Sequence, residues 1–123
     1  MVSEIKLFEI GTVVKERTSS TVLLEKQLQT MIEQNMETFF GIRFLKSEYA
    51  ITSGRMDSIG IDENNSPVIF EYKRSTSENV INQGLFYLDW LLDHKADFKL
   101  LVIEKLGMEV ADQIDWSVPC VIC

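Results

Sequence analysis

Cysteine occurs only twice in the 123 residues, at Cys120 and Cys123, and a disulfide closing so short a loop cannot staple a fold. A reducing compartment therefore suits the chain. The same C-x-x-C pair lacks the second pair or supporting histidine that zinc requires, and it ends a strand after Pro119 instead of opening a helix as a redox motif does. Core or edge cysteines are expected. Long hydrophobic runs are absent, and Met1-Val2-Ser3-Glu4 lacks the basic-then-apolar layout of a signal peptide. The expectation is a cytoplasmic protein with no membrane association. The few glycines show neither G-x-G-x-x-G nor G-K-[ST] spacing, so no phosphate-cradling loop is expected. The lone histidine, His94, falls at the end of a predicted helix, where its charge suits the dipole as a cap. Basic residues are scarce: 12 against 19 acids give a net charge of −7, which opposes indiscriminate attraction to phosphate backbones.

Against these absences stand 46% hydrophobic, 10% aromatic and 25% charged residues. That composition belongs to one globular domain spanning 1–123. The chain stops while still apolar, at Trp116 to Cys123, so we expect it to be the N-terminal part of a longer protein. Ile5 to Ile10 and Thr12 to Val14, around Gly11, read as an N-terminal hairpin. Thr18-Ser19-Ser20-Thr21 supplies N-cap oxygens for a helix running to about Phe40, ended by Gly41, with Leu24, Leu28, Met31, Ile32 and Phe39 as its apolar face. Residues 42–50 read as a strand. Arg55 to Asp62 and Pro67 to Lys73, joined by Glu63-Asn64-Asn65-Ser66, read as a hairpin. A long helix from Glu78 to His94 follows, then a buried strand at 98–104, a short helix near 106–114, and a terminal strand from Val118. The class is α/β, a central mixed β-sheet flanked by helices.

Chemistry concentrates on the hairpin. Alternation along a strand puts Glu71 and Lys73 on one face. The pairing brings Asp57 within about a residue of Glu71 across the strands. Two adjacent carboxylates repel unless a cation lies between them. Oxygen-only ligands favour Mg²⁺ or Mn²⁺ over zinc. A lysine beside such a metal could orient or deprotonate an attacking water, and the pattern suits phosphodiester hydrolysis.

Gly54-Arg55-Met56-Asp57, then thirteen residues, then Glu71-Tyr72-Lys73 resembles the PD-(D/E)XK nuclease superfamily. The Gly-Arg-hydrophobe-Asp form looks like its archaeal and mycobacterial mismatch or branched-DNA endonuclease branch. Gln83-Gly84-Leu85-Phe86-Tyr87 is similar to the Gln-x-x-x-Tyr feature of many members, and residues 70–94 look like a bacterial family in which this core precedes a further C-terminal region. The resemblance spans about residues 20–104. It implies a restriction-endonuclease-like α-β-β-β-α-β core, with Asp57 and Glu71 as metal ligands and Lys73 as the catalytic lysine. Gln83 would position substrate or water. Arg55, Arg74 and Tyr87 are the candidate substrate contacts. The proline usual before the Asp is missing here. Members often add a helix-borne glutamate, for which Glu25, Glu33 and Glu37 are available. At about 100° per residue, Glu25 alone borders the predicted apolar face, so it is the expected third ligand.

The electrostatics temper a DNA-binding reading. Residues 41–75 balance five bases (Arg43, Lys46, Arg55, Lys73, Arg74) against five acids (Glu48, Asp57, Asp62, Glu63, Glu71), leaving the excess to the rest of the chain. Ile81, Gly84, Leu85, Leu88 and Leu92 form one apolar stripe on the long helix, and Phe86 and Trp90 lie on another side. That second side packs under a neighbouring element or, failing that, serves a homodimer through the 78–94 helix or a base-stacking surface. The expected activity is metal-dependent hydrolysis of DNA. The alternative is a non-catalytic module for dimerisation or partner docking.

Overall fold

A computed structural model describes residues 4–6, 18–72 and 78–122. In chain order the elements are β1 (Glu4–Lys6), α1 (Thr18–Gln34), α2 (Met36–Phe40), β2 (Ile42–Ile51), β3 (Gly54–Asp62), β4 (Pro67–Phe70), α3 (Glu78–Asp93), α4 (Lys95–Leu106), α5 (Met108–Ala111) and β5 (Cys120–Ile122). The five strands lie in the order β1-β5-β4-β3-β2. β2, β3 and β4 form an antiparallel meander, whereas β5 is parallel to both β4 and β1. This is the mixed sheet and the α-β-β-β-α-β order expected from sequence. Of the N-terminal hairpin, only Glu4–Lys6 is described, and it pairs with β5; residues 7–17 lie outside the described set.

The helix expected over 18–40 is broken at Asn35. Its side-chain amide donates to the Met31 carbonyl at 2.8 Å, a local bond that competes with the helical ladder. Gly41 then closes α2 at φ 67°, with its N–H donating to the Glu37 carbonyl at 2.8 Å, a left-handed cap that glycine accepts without a Cβ clash.

The larger correction concerns 98–104, which belongs to α4 and is not a strand. Phe98, Leu101 and Val102 are buried while Leu100 is exposed. That is the i, i+3, i+4 spacing of a helix, and a short apolar run does not by itself distinguish the two periods. The strand role falls to β5, buried throughout. Three helices thus make the crossover that a parallel β4–β5 pair requires.

Side chains alternate to fill two cores. Val68, Phe70 and Tyr72 pack with Ile32, Met36, Ile42, Cys120 and Ile122 beneath α1 and α2. Ile59, Ile61, Ile69 and Val121 pack with Leu88, Leu91, Phe98 and Val102 beneath α3 and α4. The apolar faces differ from those expected. On α1 and α2, Met31 (44% exposed) and Phe39 (54%) face outward while Met36 is buried. On α3 the buried stripe is Val80, Gly84, Tyr87, Leu88 and Leu91; Leu85 and Phe86 are exposed. Trp90 packs edge-on to Tyr49 and stacks on His94, whose Nδ1 lies 2.7 Å from the Trp90 carbonyl, so His94 serves the junction of α3 and α4. Among the described residues no helix is long and apolar enough to cross a membrane.

Candidate active site

The β3–β4 pairing matches Ser58 with Phe70 and Ile59 with Ile69. One further step along the same register brings Asp57 level with Glu71. There β4 leaves the regular ladder, and the Asp57 side chain replaces the missing strand contact: its Oδ2 accepts the Tyr72 N–H at 2.9 Å. The Glu71 N–H donates to the Ile122 carbonyl at 2.9 Å. Glu71 itself is only 3% exposed, an environment a carboxylate occupies only with compensating polar or ionic contacts.

A cavity of about 450 Å³ opens at this end of the sheet. Asp57 and Glu71 line it together with Glu25 and Gln29 of α1, Gly54 and Arg55 of β3, and Gln83 and Tyr87 of α3. Of the sequence-derived residues, Glu25, Arg55, Asp57, Glu71, Gln83 and Tyr87 therefore meet in one place. Lys73 and Arg74 lie outside the described residues. Among the described residues no three His, Cys, Asp or Glu side chains are grouped closely enough to enclose one ion.

Gln83 and Tyr87, one helical turn apart, act as a unit: the Gln83 amide donates to the Tyr87 hydroxyl at 3.0 Å, and that hydroxyl accepts the Arg55 N–H at 3.1 Å. Tyr87 is 3% exposed, so it fixes the start of β3 against α3. Gly54 permits this approach, because a Cβ there would stand 2.6 Å from the Tyr87 hydroxyl. Arg55 is exposed at the mouth and pairs with Glu48 at 3.2 Å.

Sequence reasoning missed the polar network under Asp57. Gln29 donates to the Asp57 carbonyl at 3.0 Å, to Ser47 Oγ at 3.1 Å and to Glu33 Oε2 at 3.1 Å. Ser58 is fully buried; its hydroxyl donates to Glu33 at 2.5 Å and lies 2.9 Å from the Tyr72 hydroxyl. Burial drives the Tyr72 pKa well above the usual tyrosine range; Ser58 opposes the shift, and the charges of Glu33, Asp57 and Glu71 add to it. A signal was available in the sequence. Glu25, Gln29 and Glu33 repeat every four residues, the spacing of a polar stripe on a helix. The expected apolar face of Leu24, Leu28, Met31, Ile32 and Phe39 kept only Glu25 at its border and turned Glu33 away from the sheet.

Helices on both faces of a mixed sheet, with acidic residues of neighbouring central strands meeting at its open end, define a nuclease-like domain of the PD-(D/E)XK type. The chain belongs to the family of the endonuclease NucS C-terminal domain, whose model matches residues 24–115. A Haemophilus influenzae protein described as uncharacterised is 38% identical over 96 residues, covering 76% of this chain and 32% of that protein. The chain thus spans about a third of the length of that relative. The structure is similar to that of an EndoMS–double-stranded DNA complex, with a TM-score of 0.52 and 20% identity over 94% of this chain and 40% of that one. A repair endonuclease from Pyrococcus abyssi gives a TM-score of 0.48 at 18% identity, covering 90% and 39%.

Proposed function

We propose that this domain hydrolyses DNA phosphodiester bonds with the help of Mg²⁺ or Mn²⁺. The observation that carries the reading is the placement of Asp57 level with the buried Glu71, in a cavity that Glu25 and Gln83 also line. The donor set consists of oxygens alone, which suits a hard divalent cation. Mg²⁺ typically takes one or two protein carboxylates and completes its shell with water and substrate phosphates, so Asp57 and Glu71 suffice without a closed cage. Glu25 lines the same cavity without closing a three-carboxylate cage, so in this reading it meets the metal through a water. When bound, the metal supplies charge stabilisation at the phosphate.

The remaining roles belong to the chain. Lys73, two residues after Glu71 in the sequence, orients the attacking water or takes its proton. Gln83 presents its amide to water or substrate, and Tyr87 holds it in place. Arg55 and Arg74 neutralise backbone phosphates. DNA as the ligand is also supported by the likeness to a fold solved with duplex DNA.

Calorimetric titration of Mn²⁺ tests the reading directly. The wild-type chain should bind the ion and Asp57→Asn should not; Mn²⁺-dependent cleavage of branched or mismatched duplexes should vanish in Asp57→Asn and Lys73→Ala while both remain folded. Equal cleavage by wild type and both variants would refute the assignment. The second reading, a non-catalytic module that dimerises through α3, draws on the exposure of Leu85 and Phe86 (47%). It requires Phe86→Ala to lower the mass seen by light scattering.

A further inference from the structure

At the mouth of the cavity, Glu48 sits within β2 at φ 51°, in the left-handed region that residues other than glycine rarely adopt. Neighbouring pairs, Ser47 with Ser58 and Tyr49 with Met56, put Glu48 level with Asp57 on the adjacent strand. Its two carboxylate oxygens are divided between two cations: Oε2 lies 3.1 Å from Lys26 Nζ and Oε1 lies 3.2 Å from Arg55 Nη1. Lys26 comes from α1 and Arg55 from β3, and all three side chains line the cavity that holds Asp57 and Glu71. The bond and charge of Lys26, and then the charge of Arg55, hold the Glu48 carboxyl below the usual carboxylate range.

Exposed ion pairs contribute little to stability, so folding alone does not account for a left-handed glutamate that gathers two cations here. Two charged oxygens on one atom, each facing its own cation, reproduce what the two non-bridging oxygens of a phosphodiester present. We propose that Lys26 and Arg55 form a docking pair for one backbone phosphate of the nucleic acid, and that Glu48 occupies this pair in the free protein as an internal stand-in that substrate displaces. The inference rests on the nuclease reading and adds two things to it: Lys26 as a substrate contact, and a built-in competitor for the phosphate. Because the ion pairs are exposed, the exchange of partners is easily reversed. The displaced Glu48 swings toward solvent.

Fluorescence anisotropy with a fluorescein-labelled DNA duplex, without divalent metal so that nothing is cleaved, tests the exchange. Glu48→Gln should bind about tenfold more tightly at low salt, with the log–log salt dependence steeper by roughly one to two as the two cations turn to phosphate. Glu48→Gly, which removes the carboxylate and suits the left-handed backbone, should do the same. The double variant Lys26→Ala, Arg55→Ala should bind more weakly than wild type and should cancel the gain from Glu48→Gln. Unchanged affinity in both Glu48 variants would overturn the proposal. So would a gain that persists without Lys26 and Arg55, which would mark a general effect of lowering negative charge. Absence of DNA binding in every variant would overturn the docking pair as well, whereas the Mn²⁺ titration judges the metal-nuclease reading separately.

Discussion

Ser58→Ala removes one oxygen and, through it, the bridge between α1 and the strand end that carries Glu71. The Ser58 hydroxyl is fully buried, donates to the Glu33 carboxylate at 2.5 Å and lies 2.9 Å from the Tyr72 hydroxyl. A hydrogen bond to a charged group contributes about 1.5–3 kcal/mol, and a buried hydroxyl left without its partner costs about 1–3 kcal/mol. The two terms do not add in full, because Glu33 is only partly buried and keeps its bond from Gln29 at 3.1 Å. A loss of about 2–3 kcal/mol is therefore expected. For a chain of 123 residues that corresponds to a fall in Tm of about 6–12 °C. Thermal and urea unfolding followed by circular dichroism, on wild type, Ser58→Ala, Glu33→Gln and the double variant, would measure it. Since both single changes act on the same bond, Ser58→Ala by removing its donor and Glu33→Gln by making its acceptor neutral, the double variant should lose less than the sum of the two. A loss below about 0.5 kcal/mol for Ser58→Ala, the range of ordinary surface changes, would refute the bridge.

Other consequences can be checked with the same preparations. The Tyr72 hydroxyl is held protonated in the folded state above the pKa of about 10 of an unfolded tyrosine. Above pH 10 the unfolded chain therefore binds fewer protons than the folded one, and stability falls as pH rises; Tyr72→Phe should flatten this alkaline limb of a pH-stability curve relative to wild type. Gly54→Ala places a methyl 2.6 Å from the Tyr87 hydroxyl and should destabilise by about 1–3 kcal/mol. Combining it with Tyr87→Phe, which removes the nearest atom, should recover part of that loss in urea unfolding. Phe86→Ala should lower the unfolding midpoint only slightly, since the ring is about half exposed.

The hairpin was legible because its information is local. Alternation, the turn at Glu63 to Ser66 and the spacing from Asp57 to Glu71 together determine which side chains meet. Asp62 reinforces that turn by accepting the N–H groups of Asn64 and Ser66, each at 2.9 Å. The misreading of 98–104 had the opposite cause: Phe98-Lys99-Leu100-Leu101-Val102 suits either period, and the packing of Phe98 and Val102 against the sheet decided the outcome. Met31 and Phe39 misled for a related reason. Hydrophobicity alone does not say which side of a helix reaches the sheet, and the break at Asn35 rotates α2 relative to the run before it. Glu48 was invisible as a functional candidate because its conformation and its cations come from three separate elements.

The acids around the site also set what metal should do to stability. Asp57 and Glu71 stand level one step beyond the last β3–β4 pair, Glu71 is nearly excluded from solvent, and Glu25 lines the same cavity. Without a bound metal ion, repulsion between these like charges adds a cost to folding. Asparagine at position 57 keeps an oxygen able to accept the Tyr72 N–H that Asp57 now accepts at 2.9 Å, yet it removes one charge. Metal-free Asp57→Asn should therefore unfold at a temperature equal to or above that of the metal-free wild type. With Mn²⁺ the order should reverse. An ion at about 100 times its dissociation constant stabilises the state it binds by roughly 2.7 kcal/mol, so the wild-type melting temperature should rise by several degrees while that of the variant stays fixed. Parallel shifts in both proteins would place the ion elsewhere. A metal-free variant well below wild type would instead show that Asp57 contributes structure through its charge, as a clasp on the end of β4.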